Sequence, residues 1–96
     1  MALIRATSGS GGGSSHEVGS KTASLVRNTA YDTGIKADDV GMFGVRLGTQ
    51  NYVIFFYNNS GSWVREGDTG VSLSVVSGYI NITSAYPTQT GYLYWG

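Results

Sequence analysis

One histidine, no cysteine and six carboxylates are the whole stock from which this 96-residue chain could build a catalytic or metal site. A Ser/His/Asp triad would need His16 as base, Asp32, Asp38, Asp39 or Asp68 as its orienting acid, and a serine nucleophile. No nucleophile-elbow pattern surrounds any of the twelve serines, and that many serines put some near an acid by chance. His16 stands in a Gly/Ser tract with no framework of its own. No catalytic residue is assigned, and the expectation is a protein that is not an enzyme. One His without Cys is also a poor transition-metal set. Asp38-Asp39 and Glu66-Gly67-Asp68 gather carboxylates in turns, where backbone carbonyls could help them hold Ca²⁺. They lack the ligand spacing of a calcium loop, and Asp favours turns for its own hydrogen bonding, so both read as solvated turns. Gly41, Gly44 and Gly48 have no strand–turn–helix context for a dinucleotide, so they read as close strand packing. No metal and no cofactor is expected.

Aromatic side chains are the abundant functional group. Tyr52, Phe55, Phe56, Tyr57, Trp63, Tyr79, Tyr86, Tyr92, Tyr94 and Trp95 crowd the C-terminal half. A chain of this size buries only about 60–65% of its extended surface, too little to hide all of these beside the aliphatics. Some must therefore face outward. Tyr52, Phe55, Tyr57 and Trp63, with Leu3 and Ile4 near the N-terminus, read as interface residues, since Tyr and Trp are enriched where subunits meet. Tyr79, Tyr86, Tyr92, Tyr94 and Trp95 are a possible ligand-binding set, because flat rings beside Asn, Asp and Gln suit sugar stacking. Plain cover for the sheet is the third use.

Composition narrows the class further. Charged residues make up 12% of the chain, against about 25% in an ordinary domain, and the six Lys and Arg balance the six acids. That excludes a basic nucleic-acid binder. The absence of cysteine excludes a disulfide-stapled fold. No apolar run approaches the 18 or so residues that span a bilayer, so no membrane insertion is expected. The opening Met1-Ala-Leu-Ile-Arg-Ala-Thr has no signal-peptide h-region. Asn58-Asn59-Ser60 and Asn81-Ile82-Thr83 therefore read as coincidental glycosylation patterns.

The elements that must position the aromatics are strands. Eleven of the fourteen residues in Thr7–Ser20 are Gly, Ser or Thr, whereas Val, Ile, Tyr, Phe, Trp and Thr dominate after Lys21. This divides the chain into an N-terminal docking arm, 1–20, and a β domain, 21–96. Apolar runs punctuated every eight to twelve residues predict an all-β fold: a small antiparallel β-sandwich or barrel of seven to eight short strands with a Gly/Ser-rich N-terminal arm. Strands are expected at Ser24–Asn28, Ile35–Ala37, Val40–Leu47, Asn51–Tyr57, Ser62–Glu66, Val71–Val76, Tyr79–Thr83 and Tyr92–Trp95. Tyr31–Gly34, Asn58–Gly61, Gly67–Gly70 and Tyr86–Gly91 read as turns or loops. Alternation places Phe43, Val45 and Leu47 on one face, and Val71, Leu73, Val75, Ile80 and Ile82 on the core face of a hairpin closed by Ser77-Gly78.

The Gly-rich arm, the charge-poor and cysteine-free β domain and the aromatic C-terminus together resemble small bacteriophage virion proteins, of the tail-fibre, tail-tip or capsid-decoration type. The resemblance is compositional, covers the whole chain and carries no site residues. It implies a structural role in the virion, through contacts with further copies of the chain and with other virion proteins. Host-receptor or carbohydrate binding through exposed Tyr and Trp, with a cell-surface glycan as partner, is the alternative.

Overall fold

The computed structural model describes residues 18–96. Leu3, Ile4, His16 and most of the expected docking arm lie outside the described residues. Eight strands follow in chain order: β1 (Gly19–Leu25), β2 (Tyr31–Lys36), β3 (Met42–Leu47), β4 (Ile54–Asn59), β5 (Ser62–Glu66), β6 (Val71–Val76), β7 (Tyr79–Ser84) and β8 (Gln89–Trp95). One 3₁₀ turn, Ala37–Asp39, links β2 to β3. The strands form two antiparallel sheets, one ordered β1-β8-β3-β4-β5 and the other β2-β7-β6. The expected all-β antiparallel architecture is thus the fold, and the two separate sheets make it sandwich-like rather than a closed barrel.

Alternation along each strand builds the core. Phe43, Val45 and Leu47 of β3, Ile54 and Phe56 of β4 and Leu93 of β8 meet Val71, Ile80 and Ile82 of the smaller sheet, all essentially solvent-free. The same period turns Met42, Gly44 and Arg46 to the opposite face. Both two-residue hairpin turns use the pair Ser-Gly. Ser60-Gly61 has φ values of 56° and 94°, and Ser77-Gly78 has 52° and 87°. Two successive positive φ values match the right-handed twist of the flanking strands, and glycine supplies the second without steric cost.

Several boundaries differ from the sequence expectation, among them β3, which starts at Met42 instead of Val40, and β7, which ends at Ser84 instead of Thr83. β1 covers Gly19–Leu25 instead of Ser24–Asn28, because Gly19 and Ser20 pair with Trp95 and Tyr94 of β8. Gly19 is part of the fold: a Cβ there would sit 2.5 Å from the Trp95 ring, so the ring requires a glycine. Val26–Asn28 instead forms a turn, with Asn28 at φ 59°. Tyr31–Gly34, expected as a turn, opens β2. Its Asp-Thr-Gly composition marks a register slip between Asp32 and Lys36, where the Gly34 N–H donates to Asp32 Oδ1 at 2.9 Å. β4 starts at Ile54, not Asn51, and runs through Asn58 and Asn59. β8 starts at Gln89, inside the expected loop.

One core assignment is corrected. Val71 is buried and Leu73 half-buried, but Val75 is 46% exposed although it shares their face. β6 is an edge strand, and cover from the larger sheet runs out along it. Asn81 faces outward as expected but is buried at 8% exposure in the central strand of its sheet. Its glycosylation pattern is therefore out of reach.

Candidate functional site

Three groupings of aromatic residues emerge, and they cut across the two sets expected from sequence. The first is the outer face of the five-stranded sheet. Register aligns Ser20, Tyr94, Gly44, Phe55 and Glu66 in one row across all five strands. Met42, Tyr57 and Val64 form a second row on the same face, and Thr22, Tyr92 and Arg46 a third. Phe55 and Tyr57, expected at an interface, thus share a surface with Tyr92 and Tyr94, expected at a ligand. Phe55 is 38% exposed, Tyr57 36% and Tyr94 41%, whereas Ile54 and Phe56 on the other face of β4 are at 0% and 2%. Gly44 leaves a hollow between Tyr94 and Phe55 that Val53 partly fills, since a Cβ at Gly44 would meet Val53 Cγ1 at 2.9 Å. The Arg46 guanidinium lies 4.3 Å from the Tyr92 ring centroid and donates to the Gln50 carbonyl at 3.2 Å. That pins the cation against the ring.

The second grouping lies at the sandwich end where β8 finishes. A cleft of about 270 Å³ there is lined by Lys36, Asp39, Val40, Tyr79 and Trp95, among others. Trp95 packs beside the buried Phe43, with ring centroids 6.0 Å apart and planes 17° from parallel. One ring held in place, a second ring, a carboxylate and an ammonium therefore share one mouth.

Tyr52 and Tyr86 make the third grouping, at the opposite end. Both phenols donate to Asp68 Oδ2, Tyr52 at 2.9 Å, while the Gly70 N–H donates to Asp68 Oδ1 at 2.7 Å. These bonds tie the β3–β4, β5–β6 and β7–β8 connections together. The Tyr86 hydroxyl first, then the Gly70 N–H and the Tyr52 hydroxyl, hold the Asp68 carboxyl below its ordinary range. The same hydrogen bonds push both phenols up. An acid moved in that direction is a weak base at neutral pH, so the cluster is suited to holding loops and not to moving protons.

Trp63, expected at an interface, instead faces inward from β5 and packs against the core, half-buried. Asp38 and Asp39 form the 3₁₀ turn. Among the described residues no three His, Cys, Asp or Glu side chains gather as a metal-ligand group. Sequence reasoning missed the role of Asp68 because two tyrosines 34 positions apart reach it from different loops. Its one readable signal was Asp68-Thr69-Gly70, a turn in which an Asp side chain accepts from the second N–H onward. Compared with known proteins, the chain matches no protein-family model, no curated protein and no solved structure.

Proposed function

We propose that this chain is a non-enzymatic structural module that works by assembly, as a component of a bacteriophage tail or capsid surface, and that the outer face of its five-stranded sheet is a protein–protein contact. The observation that carries the reading is the row Tyr94–Gly44–Phe55 with Tyr57 and Tyr92 beside it, an aromatic surface on which Phe55, Tyr57 and Tyr94 stand exposed. Aromatic surfaces ringed by polar residues suit burial against a partner, and here Ser20, Thr22, Ser62 and Glu66 form the polar rim. The virion setting rests on the compositional resemblance. Light scattering on the full chain should give a mass that is a multiple of 10.2 kDa. Phe55→Asp with Tyr94→Asp should return it to one chain without loss of β circular dichroism. A wild-type chain that stays monomeric up to about millimolar concentration, where even weak contacts of a few kcal/mol register, would count against assembly.

A second reading has its own observation. The cleft holding Tyr79, Trp95, Lys36 and Asp39 offers ring stacking beside polar groups, which suits a cell-surface saccharide. Titrating a panel of glycans against the full chain while following Trp fluorescence tests it. Saturable change lost in Tyr79→Ala supports the saccharide, and no response across the panel removes it.

A further inference from the structure

The sandwich has four sheet edges, and three of them carry a device that discourages another strand from pairing. β1 carries Lys21, whose Nζ turns inward across the sandwich to donate to the Thr33 carbonyl. β2 has its register slip and Lys36. β5 carries Arg65 and Glu66. β6 reads Val-Ser-Leu-Ser-Val-Val, with no charge, no proline and no bulge. An edge of that kind is a template for strand addition unless something covers it.

Register identifies the groups the edge offers. The two-residue turn Ser77-Gly78 closes on the pair Val76–Tyr79, so those residues exchange hydrogen bonds, and so do Ser74 and Ser72 with their partners on β7. Leu73 and Val75 then aim their N–H and C=O groups away from the sheet. Two neighbouring contacts confirm the phase. The Gly70 carbonyl accepts from Ala85 on the β7 side, and the Val71 carbonyl accepts from Arg65 Nη1 at 3.5 Å on the free side. Side-chain cover fails along the same line, from buried Val71 through half-buried Leu73 to exposed Val75. The smaller sheet ends at β6, and the position beside that strand, a slot for a fourth strand, is unpaired among the described residues.

We infer that this slot receives residues Ala2–Ala6 of a neighbouring copy, as an added strand beside β6. The inference rests on the assembly reading above and names a second contact for it. Ala2-Leu3-Ile4-Arg5-Ala6 has the length of the free stretch. Its alternation lets Ile4, flanked by the small Ala2 and Ala6, face Leu73 and Val75, with Leu3 and Arg5 on the opposite face. Residues 7–17 connect this segment to Val18, and eleven residues span at most about 36–40 Å. Val18 precedes the edge strand β1, four strand positions from β5, a width of about 19 Å at the usual strand spacing. The source of the arm and the slot thus lie on opposite flanks of the molecule. Reaching its own slot would take the arm across the full width and use at least about half of its reach, whereas a head-to-tail neighbour brings slot and arm together without that crossing. Such a contact is heterologous and repeats into a ring or a filament.

The chain has no native cysteine, so engineered pairs give an unambiguous test. Full-length Ile4→Cys and Val75→Cys chains, differently tagged and mixed under mild oxidation, should form the mixed disulfide dimer. Thr22→Cys, on the outer face of β1, should not replace Val75→Cys. Equal crosslinking of the Thr22→Cys chain, or a preference of Val75→Cys for itself, would overturn the inference, the latter by showing β6 paired with β6. An intrachain disulfide in the double variant Ile4→Cys/Val75→Cys would place the arm on its own slot and overturn the exchange between copies. Val75→Pro removes one free-edge N–H and no β7 bond, so it should lower the solution mass with β circular dichroism kept. If that variant fails to fold, the crosslinks decide alone. Loss of the mixed disulfide with the oligomer intact defeats the arm while leaving the outer-face reading in place.

Discussion

The two flanks of the sandwich are built from similar strands and finished differently. On one, Lys21 of β1 spans the gap between sheets, its Nζ 2.5 Å from the Thr33 carbonyl and 5.5 Å from the Tyr31 ring centroid. Thr33 is buried, and its hydroxyl donates to the Ile80 carbonyl at 2.8 Å while accepting from the Ile35 N–H. That flank is closed by polar bonds between edge and centre. On the other flank, Arg65 reaches β6 only at Val71, beyond which Val75 and Val76 stand exposed. Both flanks contain β-branched residues that would serve a core. A long cation crosses between the sheets on both flanks, and what separates them is that Lys21 lands on Thr33, whose buried hydroxyl ties β2 to β7, while Arg65 meets β6 at Val71 and leaves the rest of that edge uncovered, so the finish of an edge, more than its hydrophobicity, decides whether it ends the domain or invites continuation.

The largest effect expected from breaking this comparison is a graded truncation along the β6–β7 hairpin. Ile82→Ala removes a solvent-free side chain and should cost about 2–4 kcal/mol. Its cross-strand partner Leu73 is half-buried, so Leu73→Ala should cost about 1–2 kcal/mol. Val75→Ala should cost about 0.5 kcal/mol or less, as for an ordinary surface change. Urea unfolding with a constant slope reads all three. Equal losses at Leu73 and Val75 would mean that the slot is filled within the single chain.

The closed flank sharpens the comparison with smaller numbers. Thr33→Val keeps the shape but deletes one buried donor and acceptor, leaving the Ile80 carbonyl and Ile35 N–H short of a partner, for about 1–3 kcal/mol. Lys21→Met keeps the stem over Tyr31 and loses the charge, for about 0.5–1 kcal/mol. The sharper readout for Lys21→Met is mass by light scattering. A chain whose β1 edge has lost its inward cation should gain a tendency to pair there, and an unchanged mass at all concentrations would show that Lys21 guards nothing.

These flanks also mark what could be read in the sequence. Strict alternation made β3, β5 and β7 and the Ser77-Gly78 hairpin legible, because a slip of one residue would turn Phe43 or Ile80 out of the core. The neighbours of a strand were not legible. Val75 has the pattern of a core residue, and only its place at the end of a three-stranded sheet exposes it. Tyr31-Asp32-Thr33-Gly34 has the composition of a turn and becomes a strand because β7 pairs with it. Gly19 reads as the tail of a linker until the Trp95 ring is laid across it. For the aromatics, sequence fixed their excess over what the core could hold. Their sorting into an outer face, an end cleft and an acid-bound pair depends on register between strands far apart in the chain, and that leaves no local trace.

The smallest effect concerns the turn that leads into the open flank, the β5–β6 turn held by Asp68. Its partners stabilise the carboxylate, so its folded-state pKa lies below the unfolded value of about 3.9. The folded state therefore binds this proton less readily than the unfolded chain does. The stabilisation is present above the unfolded pKa and is lost as pH falls through the lower folded value. Tyr52 and Tyr86 have the opposite sign. Their phenols are raised above about 10, so their contribution is complete below that pH and is lost as pH rises through the folded values. Asp68→Asn replaces the charged acceptor by a neutral one and should flatten both limbs of the stability–pH profile, because the amide neither titrates nor shifts the phenols electrostatically. Measured by urea unfolding from pH 2 to 11, the wild-type and Asp68→Asn curves should lie farthest apart near neutrality and converge at both extremes. Parallel curves would show that the Asp68 carboxylate is not what holds the turn. In that case the open flank would be secured by packing at Val71 and Tyr86 and by the Arg65–Val71 bond, with a Cβ at Gly70 excluded because it would meet the Tyr86 ring.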